Sequence, residues 1–182
     1  MFNWFSAPTF ASMLLFWVLG AYVLTRSPRS AVSLTAVGAQ FATALYLLGQ
    51  LMVANAETLE QWMPWERNLV WAAHVAPFLW YLLTLLLLKE QGSPRGRMYV
   101  HFVGYPFFVI HALATVFFVA AAYGGEMLNR WSAVRLAEPA EYSRFELPNG
   151  PLFIGFVVLL VGLIALLMGV TGHGIGGRRH YF

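Results

Sequence analysis

The 182-residue chain contains no cysteine and no aspartate. The missing cysteine excludes a disulfide framework, a thiolate metal site and thiol catalysis. The missing aspartate, with only eight glutamates, leaves little for carboxylate pairs, Ser-His-Asp triads or Asp-bound magnesium. Charge of either sign is scarce. Asp, Glu, Lys and Arg make up 10% of the chain, against about 25% in an average soluble domain. Such a chain has too few charges to cover a water-facing surface, so a soluble globular domain is excluded. Phosphate-binding glycine loops, metal-ligand pairs at i, i+4 and nucleophile elbows are also missing. The run Gly172-His-Gly-Ile-Gly-Gly177 has the wrong spacing for a dinucleotide loop and follows a membrane helix rather than a strand. The basic residues form no contiguous patch, so nucleic acid is not an expected partner. An independent enzyme is not expected either.

What is abundant is apolar length. Hydrophobic residues make up 59% of the chain and mean hydropathy is +0.64. A hydrocarbon core of about 30 Å takes roughly 20 apolar residues per helix. Five stretches meet this, at about 8–25, 31–54, 69–88, 99–123 and 151–171. The expected fold is an all-α membrane protein, one polytopic domain over 1–182 forming a bundle of five transmembrane helices. The first span lacks the basic leader and small-residue cleavage site of a signal peptide.

The charges sort by side. Arg26, Arg29, Lys89, Arg95, Arg97, Arg178 and Arg179 fall on one side with Glu90 alone. Arg67, Arg130, Arg135 and Arg144 fall on the other with the remaining seven glutamates. The basic side is expected to be cytoplasmic, with the N-terminus outside and the C-terminus inside. The implied location is a bacterial cytoplasmic (inner) membrane. Trp4, Trp62, Trp65, Trp71 and Trp131 cluster near the outer interface, where indole rings anchor.

The cytoplasmic links are short and hold no catalytic domain. An acidic outer loop is expected over 55–68 and a longer one over 124–150. Met127, Leu128, Trp131, Val134 and Leu136 have the spacing of an interfacial amphipathic helix over 126–136, with a plain covering loop as the alternative. Residues 172–182 read as a flexible basic tail.

Polar groups inside the bilayer are the candidates for pocket or cofactor ligands: Gln40, Gln50, His74, His101 and His111. Gln40 and Gln50 are ten residues apart and do not share a helix face; their ordinary role is interhelical hydrogen bonding. His74 lies roughly 9 Å below the outer end of its span and His111 roughly 17 Å below it, while His101 sits near the cytoplasmic end. A bis-His haem b needs two histidines at similar depth on facing helices. A single one suffices to ligate a chlorophyll-type pigment or hydrogen-bond a quinone, and a structural histidine bonded to a neighbouring helix is the ordinary alternative. Pro77 and Pro106 are expected to kink spans three and four beside this pair. Gly155, Gly162 and Gly169 recur at heptad intervals with Ala165 beside them, a smooth face for helix packing, expected to be filled within the chain.

Several ordered motifs carry a family resemblance: Arg26-Ser-Pro-Arg29 after span one, Trp71 then Pro77-Phe-Leu-Trp80-Tyr81 in span three, Tyr105-Pro106 in span four, and Gly150-Pro151-Leu152-Phe153 opening span five. Over about 8–171 the chain resembles the N-terminal seven-helix membrane region of bacterial sensor histidine kinases. The chain departs from it in having five spans and no coupling, phospho-acceptor or ATP-binding domain. The resemblance implies the membrane fold and external N-terminus, not kinase activity. The functional expectation is a non-catalytic module working through other membrane subunits and bound lipids. It is either a sensory or coupling domain, or an accessory, pigment- or haem-associated subunit of a respiratory or photosynthetic electron-transport complex.

Overall fold

A computed structural model of the chain describes residues 6–91, 94–124, 134–140, 143–146 and 152–176. Its main elements are α1 (Ser6–Arg26), α2 (Ala31–Asn55), α3 (Leu59–Gln91), the short α4 (Pro94–Tyr99), a π-helical segment (Val100–Gly104), α5 (Tyr105–Gly124) and α6 (Phe153–Gly176). Four stretches are long and apolar enough to cross a bilayer: Ser6–Arg26, Ala31–Asn55, Leu59–Glu90 and Gly96–Ala121. The chain is therefore a multi-pass, helical membrane protein. α6 adds a further helix of 24 residues. An unbroken helix satisfies its own backbone polar groups, which is what hydrocarbon demands.

The helix ends differ from the expectation. Instead of an outer loop over 55–68, α2 and α3 are joined by residues 56–58 alone. Hydropathy misses the first turns of α3 because Glu60, Gln61 and Glu66 are polar. A cap builds them: Thr58 Oγ1 accepts from the Gln61 N–H at 3.3 Å, and Gln61 Oε1 accepts from the Glu57 N–H at 3.1 Å. This is a capping box shifted by one residue. α2 starts the same way, with Ser30 Oγ accepting from the Ser33 N–H at 3.0 Å. α3 also runs on to Gln91 and α4 opens with proline at its first position, so the link after α3 is shorter than expected.

Two further expectations are corrected. Val134–Ala140 (β1) pairs antiparallel with Ser143–Glu146 (β2), so 134–136 are strand and not the end of an amphipathic helix. Val134 and Leu136 alternate with Arg135, a period of two, and Pro139 would break a helix interior. The rest of that expected helix, 126–133, lies outside the described residues. Residues 172–176 continue α6 rather than forming a tail; 177–182, with Arg178, Arg179 and His180, lie outside the described residues.

α3 is the hub. It packs on α2 at one flank and on α5 and α6 at the other, while α1 rests on α2. Three apolar clusters line it. At the N-terminal end of α3, Val53, Ala56, Trp62 and Leu69 pack together. Ala73 of α3, Phe118 of α5 and Leu159 and Leu160 of α6 share the next. Tyr81, Leu85, Val100 and Leu163 form the third, at the level of the π segment. The outward surfaces of α1, α5 and α6 are apolar: Leu15, Val18, Leu113, Val116, Ile154 and Val158 are all exposed, as lipid-facing positions are.

Candidate functional site

His74 and His111 are the only buried histidines among the described residues, at 2% and 5% exposure. They lie on facing helices, α3 and α5. The His74 ring sits 5.7 Å from the Phe118 ring, and the His111 ring 6.3 Å from the Tyr81 ring. Phe118 follows His111 by seven residues and Tyr81 follows His74 by seven, so both contacts belong to one antiparallel register. The two imidazoles are thus about two turns, or ~10 Å, apart along the helix axes. A haem held by both at one level does not fit this register. Among the described residues no group of three metal-ligating side chains occurs.

Backbone carbonyls orient the polar groups of this seam. The His111 Nδ1–H donates to the Phe107 carbonyl of its own helix at 2.8 Å. A carbonyl only accepts, so the proton of the neutral ring is on Nδ1 and the lone pair on Nε2. The Tyr81 hydroxyl, fully buried, donates to the Gly104 carbonyl at 3.1 Å. The π segment brings that carbonyl to α3. It ends two residues before Pro106, which has no N–H to offer a preceding turn, and π turns arise where the regular ladder is interrupted. Gly104 permits the approach: a Cβ there would lie 2.6 Å from Leu85 Cδ2. Pro77, by contrast, sits inside an unbroken α3. Phe78 and Phe108 stack at 4.7 Å to close the seam beside it.

The other candidates separate. His101 is exposed and packs edge-on against Tyr105 of its own chain segment, away from the buried pair. Gln50 Nε2 donates to Tyr46 Oη at 3.1 Å, a bond within α2 and not between helices. Gln40 Oε1 is buried without a hydrogen-bond partner among the described residues and abuts Gly20 of α1. Two interhelical hydrogen bonds come instead from residues outside this set of candidate ligands. Trp80 Nε1 donates to Thr43 Oγ1 at 3.1 Å, and Asn55 Nδ2 to Ser6 Oγ at 3.2 Å. Small polar side chains four residues from a helical carbonyl, as Thr43 is from Ala39, were the available signal.

The tryptophan belt is also redistributed. Trp62 is 2% exposed and belongs to the apolar cluster at the start of α3, with Trp65 half-buried against it. Starting α3 at Leu59 puts Trp62, Trp65 and Leu69 on one helical face toward α2. Trp71 remains exposed; Trp4 and Trp131 lie outside the described residues. Of the small-residue face on α6, Gly155 faces Phe118 of α5, whose ring a Cβ there would meet at 3.5 Å. A Cβ at Gly162 would meet nothing within 4 Å and Ala165 is exposed, so among the described positions of that face the expected intrachain packing reaches Gly155 and not the Gly162–Ala165 turn. Gly169 lies within α6, but its surroundings are outside the described residues.

No curated protein and no solved structure matches the chain. One family, DUF6131, described as a family of unknown function, matches residues 139–182, a stretch that contains α6 and leaves the α3–α5 seam outside it.

Proposed function

We propose that the chain is a five-span, non-catalytic membrane module whose working element is the α3–α5 seam, and that it acts through partner subunits. The observation that carries this reading is the pair of buried imidazoles framed by Phe118, Tyr81 and Phe107 in an otherwise apolar bundle. Ionisable side chains at membrane depth are costly and point to ligand or signal pathways. α6 supplies the fifth span. The excess of arginine at the 26–29 and 95–97 turns supports a cytoplasmic placement for that side, an external N-terminus and a bacterial cytoplasmic membrane. The motifs shared with the membrane region of sensor histidine kinases favour a sensory or coupling role. Trp71, Pro77, Trp80 and Tyr81 of that set all lie on α3, the hub of the bundle.

A second reading, an accessory subunit of a respiratory or photosynthetic complex, is favoured by the open Gly162–Ala165 turn of α6 and by α1, whose one broad contact is α2. Purification of the full chain from native membranes, followed by mass spectrometry, tests both. The sensory reading expects a signalling partner whose recovery falls in His74→Leu while the bundle keeps its melting temperature. Stoichiometric redox subunits select the accessory reading. A chain recovered alone, and unchanged by His74→Leu, overturns the proposal.

A further inference from the structure

We infer that the His111–Tyr81 level of the seam binds a lipid-soluble aromatic alcohol, the reduced quinol class, and discriminates against the oxidised quinone. The inference rests on the α3–α5 seam being the ligand-bearing element and adds the chemistry of the ligand. The His111 Nδ1–H is committed to the Phe107 carbonyl, and the Tyr81 O–H to the Gly104 carbonyl. What they leave is an acceptor. Nε2 of His111 carries a lone pair that no hydrogen bond reaches among the described residues. Hydrocarbon has no donor to offer it.

A ligand for this level must therefore donate. It must also arrive through lipid. His111 is 5% exposed, and its neighbours toward the hydrocarbon, Phe107 and Ile110, are exposed at 40% and 56%. The rings of Phe107 and Tyr81, each 6.3 Å from the imidazole, favour a flat aromatic body. A quinol hydroxyl satisfies Nε2 as a donor. A quinone presents only carbonyl acceptors and sets lone pair against lone pair. The binding step transfers no electron; it reads the oxidation state through hydrogen-bond polarity.

The test uses the full chain in nanodiscs with ¹⁵N-labelled histidine, titrated with a short-tailed benzoquinol and its benzoquinone. The expected result is about tenfold tighter binding of the quinol, the worth of one well-made hydrogen bond. The quinol should move the Nε2 resonance of His111 and not its Nδ1 resonance. His111→Leu should abolish the preference, and His101→Leu should leave it unchanged. If His111→Leu does not fold, the wild-type Nε2 shift alone decides. Equal affinity for both forms, binding of neither, a proton found on Nε2 in the free chain, or a co-purifying tetrapyrrole whose metal sits on Nε2 each overturns the inference. Binding of neither form, with partner recovery still sensitive to His74→Leu, would reject the quinol and retain the seam as the working element.

Discussion

Gly104 and Gly162 are both glycines in helical segments, and their surroundings give substitutions there opposite signs. A side chain at Gly104 runs into Leu85, which is fully buried. Gly104→Val is expected to destabilise the bundle by about 1–3 kcal/mol, as overpacking does. Gly162 faces open space, so Gly162→Ala removes only a helix weakness and should stabilise by up to ~1 kcal/mol. Thermal unfolding in detergent, read by circular dichroism, separates the two; a Gly104→Val that melts with wild type would contradict the close α3 approach. Tyr81→Phe keeps the ring and deletes the donor to the Gly104 carbonyl. A loss of about 0.5–1.5 kcal/mol is expected from the same melt. A null effect would mean that the Gly104 carbonyl finds an equally good donor elsewhere.

At the scale of the element, α3 shows what was and was not legible in the sequence. Its membrane-buried half was legible because a long apolar run in a 3.6-residue helix has few alternatives in lipid. Its first ten residues were not, because hydropathy reports affinity for hydrocarbon and Glu60, Gln61, Glu66 and Arg67 have little. The backbone there is helical for a different reason, the Thr58 and Gln61 caps. Thr58→Ala should cost about 1 kcal/mol locally. Hydrogen exchange should quicken over 59–63 while the amides around Tyr81 stay protected; uniform quickening would show that the cap supports the whole bundle. The seam was half legible. His74 and His111 were readable as intramembrane polar residues. Their aromatic partners were not, because these depend on the register of two antiparallel helices, and a π segment upstream of His111 resets that register. Gln50 misled for a related reason: spacing cannot show that Tyr46, one turn earlier on the same helix, already takes its amide.

For the whole molecule, the short links at residues 27–30 and 56–58 force neighbouring helices to alternate direction. That alternation, joined to the charge asymmetry, makes sidedness testable. The absence of native cysteine makes the chain a clean background for single-cysteine labelling. Glu57→Cys should react with a membrane-impermeant maleimide on intact cells, and Ser27→Cys only after permeabilisation. The reverse pattern would invert the orientation and place the His74 end of the seam toward the cytoplasm.

The π segment has one more consequence. Each of its hydrogen bonds spans a residue more than an α-helical bond, so the 94–124 stretch stores one spare residue in its length. Loss of any one residue from 100–104 can be absorbed by tightening to α-helix. The α5 face that carries His111 and the arginine-bearing turn below it would then both keep their places, whereas rewinding the full-length segment to α-helix would swing that turn by about 100° and move it ~1.5 Å. The helix thus contains a vernier between its membrane half and its basic end, and a wound or unwound setting changes which side the charges face without disturbing the buried imidazole.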